Sequence, residues 1–219
     1  MRINNLLKFT TAAFAVLVIA ILPVRSYSQH SKVELTPFGG YMLGGSIEFY
    51  EGKFKIEDNA SFGGILGVRL RESQLVEISY TYMDTEGEWR PYGGYNIDYP
   101  DTTFDLTMNY IQIGSTNEII LDNDAIRPYG MYSLGASWLH PKGGTAEDEW
   151  FFAVNLGVGL KYYISERVGI RLQARMLVPF VWGDTGVYFG FGSGGVTVGT
   201  WSAIIQGDFT GGLIIALGD

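Results

Sequence analysis

Cysteine is absent from the chain of 219 residues. This absence excludes a disulfide framework, a thiolate metal site and a thiol nucleophile. Histidine occurs only as His30 and His140, so histidine-based chemistry has few candidates. Charged residues make up 17% of the chain, below the roughly 25% that is typical of soluble domains. The pattern of the apolar residues therefore carries most of the structural information.

The N-terminus has the pattern of a secretory signal peptide. Arg2 and Lys8 precede the apolar stretch "FTTAAFAVLVIAILPV", and small residues then lead up to Ser28. The apolar stretch is shorter than the roughly 20 residues that a spanning helix needs, which argues against an uncleaved anchor. We predict that residues 1–28 are a signal peptide and that residues 29–219 form one domain, with cleavage after Gln29 as the alternative.

The predicted domain is acidic and has no long apolar run. The signal region holds three basic residues and no acidic one, so its removal changes the net charge from −8 to −11. Binding to nucleic-acid phosphates requires basic surface, so we predict no nucleic-acid partner. Without a second apolar run of helix-spanning length, the domain is either soluble and exported or crosses a membrane as strands.

Eight segments alternate apolar and polar residues at the two-residue period of a β-strand. They are residues 33–44, 60–71, 74–83, 104–120, 126–139, 150–164, 168–180 and 202–217. Three connections are tight, at 72–73, 122–125 and 165–167, and four are long, at 45–59, 84–103, 140–149 and 181–201. Tight turns on one side and long loops on the other are typical of outer-membrane barrels. Within the first long loop, Glu51-Gly52 predicts a hairpin.

The two faces of these segments differ in chemistry. In "RVGIRLQARML", residues 167–177, Ile170 and Leu172 share the apolar face, and Arg171 and Arg175 share the polar one. A soluble barrel needs Lys and Glu on its outer face, whereas the polar faces here are mostly Gly, Ser, Asn and Thr. We therefore predict that the apolar faces contact lipid. The expected fold is all-β, an eight-stranded antiparallel up-and-down transmembrane β-barrel.

The fourth segment departs from simple alternation. Its apolar residues from Phe104 to Tyr110 share one phase, whereas Ile111 and Ile113 take the other. We predict a bulge or register change near Tyr110.

Charged residues on the polar faces predict an ion-paired interior. An eight-stranded barrel is filled by its own side chains, and an unpaired charge there is costly. The predicted interior charges are Glu34, Arg69, Arg71, Glu77, Asp105, Lys161, Arg171, Arg175 and Asp208. We expect them to plug the barrel, with Arg175 and Asp208 as the favoured pair, and a narrow pore is the competing interpretation.

Aromatic residues lie near the predicted strand ends, where amphipathic rings favour the lipid headgroup level. The predicted girdle residues are Tyr80, Tyr82, Trp138, Trp150 and Trp182 at the loop end, and Tyr129, Tyr162 and Tyr163 near the turns.

The segments "VEISYTYMDTE", "IRPYGMYSLGASWLHPKG" and "FFAVNLGVGLKYYISERVGIRLQAR" resemble bacterial outer-membrane β-barrels of the OmpA, OmpX and opacity type. The resemblance implies a place in the bacterial outer membrane, among its lipids and lipopolysaccharide. It also implies a C-terminal signal for the barrel-insertion machinery, which Thr210, Gly212, Ile215 and Leu217 fit. The family usually ends in an aromatic residue, whereas this chain ends in Leu217-Gly218-Asp219.

Most barrels of this kind have no known activity, so the resemblance implies no reaction. We predict a non-catalytic protein with a structural or surface-interaction role through its long loops, toward a ligand or protein partner that the sequence does not name. No catalytic, cofactor or metal residue is predicted. The alternatives are a lipid-modifying enzyme that uses His140, and a narrow channel or accessory subunit of an envelope complex. No serine near His140 is a convincing nucleophile, and pairing with Glu147, Asp148 or Glu149 is the simpler role for this histidine.

Overall fold

The computed structural model describes residues 33–48, 52–92, 102–142, 148–182, 195–198 and 201–217. The predicted signal peptide at 1–28 lies outside these ranges, as do parts of the long loops. Within the described ranges, no helix is both long enough and apolar enough to cross a membrane.

Within the described ranges, twelve strands form one antiparallel sheet. They are β1 (Val33–Leu43), β2 (Gly45–Glu48), β3 (Gly52–Ile56), β4 (Asn59–Arg71), β5 (Gln74–Pro91), β6 (Thr102–Glu118), β7 (Ile126–Pro141), β8 (Glu149–Tyr163), β9 (Val168–Trp182), β10 (Gly195–Val198), β11 (Trp201–Ile204) and β12 (Gln206–Leu217). The eight long strands β1, β4 to β9 and β12 form the wall, and each pairs with its neighbours in chain order.

The last strand closes the barrel. β12 pairs with β9 from Gln206↔Leu177 to Ile215↔Val168, and with β1 from Val33↔Leu217 to Leu43↔Gly207. Closure satisfies the backbone hydrogen bonds of both end strands, which is required where lipid surrounds the wall. The structure thus confirms the predicted eight-stranded antiparallel barrel.

The two ends of the barrel differ in the length of their connections. At one end, here called the turn end, residues 72–73, 119–125 and 164–167 join neighbouring wall strands. At the opposite end, the loop end, the wall is taller on one side, because β5 runs for 18 residues to Pro91. The predicted hairpin is present as β2 and β3, with Ile47 opposite Phe54. β3 also pairs with β5 and so adds to the raised wall.

The bulge predicted in the fourth wall strand is wrong. β6 pairs with β5 without a register shift from Gln74↔Asn117 to Trp89↔Thr102, and with β7 equally regularly. Its even-numbered residues face inward throughout. The change of pattern near Tyr110 has another cause, since the interior beside β6 is apolar toward the loop end and polar toward the turn end.

The outer face of the wall is apolar and exposed. Val158 and Leu172 are 65% and 55% exposed, and Leu156 and Ile170 resemble them. In β9, Ile170 and Leu172 share the outer face, whereas Arg171 and Arg175 lie on the other face and are buried in the interior. At the level of these arginines the interior is therefore polar and the surface is apolar, the inverse of a water-soluble barrel and the arrangement expected in lipid.

A charge on the outer face tests this orientation. We expect Leu172→Arg to lower the free energy of unfolding by about 2–4 kcal/mol, because arginine near the bilayer midplane is poorly solvated. Equilibrium urea unfolding in lipid vesicles measures the change, with Leu172→Met as the size-matched control. Equal stability of the arginine and methionine variants would contradict the outward orientation of this face.

Candidate functional site in the barrel interior

Ion pairs fill the interior at the turn end. Arg69 contacts Glu34 at 2.6 Å through Nη2 and Glu118 at 2.8 Å through Nη1. Lys161 Nζ lies 2.8 Å from a carboxylate oxygen of Glu34 and 2.8 Å from one of Glu118. Arg127 approaches Glu118 at 3.2 Å. Each glutamate is thus held between cations from different strands, which compensates for the loss of water around both carboxylates.

The ion pair between Arg171 and Glu77 lies closer to the loop end than the first group. The Arg171 guanidinium donates two hydrogen bonds to Glu77, of 2.6 and 2.9 Å, in a fork-to-fork arrangement. Thr116 donates a further hydrogen bond to Glu77, at 2.7 Å. Arg171 also lies 4.7 Å from the centre of the Tyr129 ring. A Cβ atom on Gly159 would lie 2.3 Å from that ring, so glycine is required there for the tyrosine to pack.

Arg175 and Asp208 form the next pair, between the adjacent strands β9 and β12. Arg175 Nε donates to Asp208 Oδ2 at 2.9 Å, and Nη2 donates to the same oxygen. Ser61 donates to the other carboxylate oxygen at 2.7 Å, and the Arg175 guanidinium lies 4.9 Å from the centre of the Phe38 ring. Both charged side chains are fully buried. This is the pair favoured on sequence grounds.

The interior at the loop end is apolar. One cluster comprises Met42, Ile56, Met83, Met108, Tyr110, Ala153, Leu177 and Ile204, with Phe54 and Leu139 packed against it. Within it, the Tyr110 hydroxyl donates to Gln206 Oε1. We call this set the apolar cluster. We call the ion-paired side chains nearer the turn end the charge network, which comprises Glu34, Arg69, Glu77, Glu118, Arg127, Lys161, Arg171, Arg175 and Asp208.

The structure brings seven of the nine predicted interior charges together. They are Glu34, Arg69, Glu77, Lys161, Arg171, Arg175 and Asp208. The interior placement of the other two is wrong. Asp105 is exposed on the outer face, because β6 has no bulge to turn it inward. Arg71 is exposed beside the tight turn, past a register shift between Arg69 and Arg71.

Sequence reasoning missed several members of the charge network. Glu118 and Arg127 flank the β6–β7 connection, and Glu118 shares the inward phase of Thr116, a signal that alternation provides. Tyr129 and Tyr163, assigned to the girdle, face inward instead. Tyr163 donates to Glu34 at 2.9 Å. Tyr163 lies two residues after Lys161 and therefore shares its inward face, which was the signal that the sequence offered. Its hydroxyl has a role there because a buried carboxylate needs hydrogen-bond donors.

The remaining described girdle residues face outward. Trp138 and Trp150 stack with ring centres 4.6 Å apart, and Tyr80 lies 6.2 Å from Trp138. The Tyr80 hydroxyl donates to Asn109 at 2.8 Å, so this outward amide has a partner beneath the rings. Tyr82 is half-buried and Tyr162 is exposed. The side chain of Trp182 lies outside the described residues.

His140 lies at the loop end and points away from the interior. Its Nδ1 atom is 2.5 Å from Asp148 Oδ1, and both side chains are well exposed. Ser137, three residues earlier, is buried on the opposite face of the same strand. Lys142 donates to both carboxylate oxygens of Asp84 at 2.6 Å, and these bonds raise the pKa of Lys142. The first pair joins β7 to the residue that precedes β8, and the second reaches from the end of β7 across β6 to β5.

Comparison with known proteins agrees with this architecture. The family described as "Outer membrane protein beta-barrel domain" matches residues 12–180. The chain belongs to this family. Family membership confirms the resemblance noted in the sequence, and the protein is one of the bacterial outer membrane. No curated protein sequence matches the chain.

Two solved structures share the fold of this outer-membrane protein. Neisserial surface protein A is 14% identical, with 86% of this chain and 99% of that chain covered and a TM-score of 0.52. The outer membrane protein OprG from Pseudomonas aeruginosa is 12% identical, with 87% and 98% covered and a TM-score of 0.53. At these identities the likeness shows the fold alone.

Removal of one partner tests the contribution of the charge network. We expect Asp208→Asn to lower the free energy of unfolding by about 3–5 kcal/mol, because it leaves the Arg175 guanidinium buried without a counter-charge. Urea unfolding in vesicles measures this loss.

The double variant Arg175→Met/Asp208→Leu is the matched control, since it removes both charges. We expect it to be more stable than Asp208→Asn. If the double variant were the less stable of the two, the pair would not carry the compensating charge assigned to it.

Proposed function

We propose that the protein is a non-catalytic outer-membrane barrel with a sealed interior that holds long external loops for a structural or surface-interaction role. The observation that carries this proposal is the filling of the interior along its length. Ion pairs occupy the turn end and buried apolar side chains occupy the loop end.

The two fillings oppose ion flow for different reasons. An ion crossing the charge network has to displace cations from carboxylates that they hold at 2.6–2.8 Å. An ion crossing the apolar cluster has to lose its water without finding polar replacements, the barrier that hydrophobic constrictions use in channels. A plug therefore fits the interior better than a narrow pore.

The loop end supplies the surface for a partner. In barrels of this class the short turns are periplasmic and the long loops are external. Here β3, β5 and the start of β6 raise the wall at the loop end, and the Lys142–Asp84 pair braces its rim. A ligand or protein partner at the cell surface would meet this end, and lipids and lipopolysaccharide would contact the outer wall below it.

The final strand carries the proposed insertion signal. Thr210 and Gly212 face the interior, whereas Ile215 and Leu217 lie on the outer face. All four belong to β12, which pairs with β1 to close the barrel. The insertion machinery would therefore bind the same strand that closes the barrel.

Single-channel recording tests the sealed interior. Purified protein in planar bilayers should show no steady conductance, because neither end of the interior offers an open path. Asp208→Asn provides a matched comparison, since it weakens only the charge network and leaves the apolar cluster in place. A reproducible open state in the unmodified protein would overturn the plug.

Replacement of His140 tests the enzymatic alternative. We expect His140→Ala cells to keep the lipid A and phospholipid profile of cells with the unmodified protein, because the imidazole pairs with Asp148 and no serine lies on its face of β7. Mass spectrometry of extracted lipids makes the comparison, with Asp148→Asn as a second variant that keeps the histidine. A lipid species lost in both variants would favour an enzyme.

A further inference from the structure

A groove of about 670 Å³ crosses the outer wall from β6 to β9. Its floor follows one row of cross-strand pairs, which joins in order Asn117, Gly130, Val158 and Ala174. Val158 is strongly exposed because both of its neighbours in the row are small. A Cβ atom on Gly130 would meet nothing within 4 Å, so the floor is open at this position. We call this feature the wall groove.

Larger apolar side chains bound the wall groove. The next outward residues toward the loop end are Tyr132, Leu156 and Met176, which line its side and are all exposed. Phe209 on β12 lies opposite Ala174 and is also exposed, so the row of small residues ends at its ring. The wall groove is therefore an apolar trough with a bulky side chain at its far end.

The wall groove rises from the turn end toward the middle of the wall. Counted from the turn end of their strands, Asn117 is the second residue, Gly130 the fifth, Val158 the sixth and Ala174 the seventh. Neighbouring strands lie about 4.8 Å apart, so the three steps from β6 to β9 span about 14 Å. This length is similar to half of the roughly 30 Å hydrocarbon core, the depth that one lipid leaflet fills.

Polar side chains extend the same row at the turn end. Gln74 lies opposite Asn117, and Arg71 lies opposite Gln74. Directly opposed residues of an antiparallel pair share a face, so Arg71 and Gln74 continue the row on the outer wall. Arg71 and Asn117 are both exposed. From the turn end upward, the row presents a guanidinium, two amides and then the apolar trough.

This order of chemical groups matches an amphiphile whose charged head lies at the turn end. A guanidinium binds phosphate oxygens through charge-assisted hydrogen bonds. A hydrocarbon chain would fill the space beside Gly130 and Ala174, because an unfilled gap there loses dispersion contacts. Short turns of such barrels are periplasmic, so this head lies in the periplasmic leaflet.

We propose that the outer wall binds one phospholipid of the periplasmic leaflet, with an acyl chain in the wall groove and its phosphate at Arg71. The Asn117 amide, between the two, donates to an ester carbonyl oxygen of the lipid. The site lies on the outside of the wall. It therefore goes beyond the proposed function, and it needs neither a sealed interior nor a partner at the loops.

Filling the wall groove tests the acyl-chain contact. We expect Gly130→Leu to lose most phospholipid binding, because leucine occupies the floor of the trough. Native mass spectrometry of protein released from detergent micelles and titrated with dipalmitoyl phosphatidylethanolamine measures the bound fraction.

The matched control is Gly64→Leu. Gly64 shares the outer face with its pair partner Tyr80, and a Cβ atom there also meets nothing within 4 Å, but it lies outside the wall groove. This variant should bind phospholipid as the unmodified protein does. Equal binding by the two leucine variants would overturn the proposal.

An independent pair of variants tests the head contact. Arg71→Gln should weaken phospholipid binding about fivefold, the contribution typical of one basic residue at a lipid surface. Arg167→Gln makes the same change of charge in another connection of the turn end, where Arg167 is also exposed, and should leave binding unchanged. Equal weakening by both variants would show a general effect of charge and would contradict the contact at Arg71.

The lipid that is retained from the cell identifies the occupant. After mild extraction from outer membranes, phospholipid should accompany the unmodified protein and Gly64→Leu, and should be missing from Gly130→Leu. Mass spectrometry of the co-purified lipids makes the comparison. If lipid A followed this pattern and phospholipid did not, the groove would hold lipopolysaccharide and the proposal would fail.

Discussion

The pairing of buried charges inside a closed, narrow wall is the constraint on which this structure depends. Once β12 pairs with β1, every second side chain of the wall points into an enclosed interior that water does not freely enter. A carboxylate placed there is stable only beside a cation, and the cation is stable only beside the carboxylate. Arg69, Lys161 and Arg171 therefore bind Glu34, Glu118 and Glu77 across strands that are distant in sequence. The Lys161–Glu118 and Arg171–Glu77 contacts join strands that backbone hydrogen bonds do not connect, and they help to fill the barrel.

The interior changes character along the barrel axis, and this change explains the pattern of the individual strands. β6 contributes Leu106, Met108 and Tyr110 to the apolar half and Thr116 and Glu118 to the charged half without changing its register. A strand that faces two environments in succession loses its simple alternation although its geometry is regular. Apolar side chains occupy the loop end of the interior, and ion pairs occupy the turn end. Under the proposed function, a partner would meet the outside of the molecule, at the raised rim.

Much of the interior could be predicted from alternation alone. In β8 and β9 the inward residues Lys161, Arg171 and Arg175 follow directly from the two-residue period, because both strands are regular and their outer faces are uniformly apolar. Asp105 was misplaced because the apolar phase of its neighbours was attributed to lipid, when those side chains fill the loop-end interior. Tyr163 was misplaced because an aromatic residue near a strand end fits a girdle equally well. In both cases the residue type was compatible with either face, and only the pairing of the strand decided between them.

The sequence by itself determined the number of wall strands, the faces of regular strands such as β8 and β9, the position of the tight turns and the family, because each depends on local period or on local composition. Only the tertiary structure decided which charges meet. The partners of Glu34 come from the adjacent strand β4 and from the unpaired strand β8, and those of Glu77 come from β8 and β9, neither of which pairs with β5. It also decided that the interior is apolar toward the loop end. The physical reason is that the position of a residue along the barrel axis depends on the register of its strand with the other strands of the closed wall. No single segment of the sequence specifies that register.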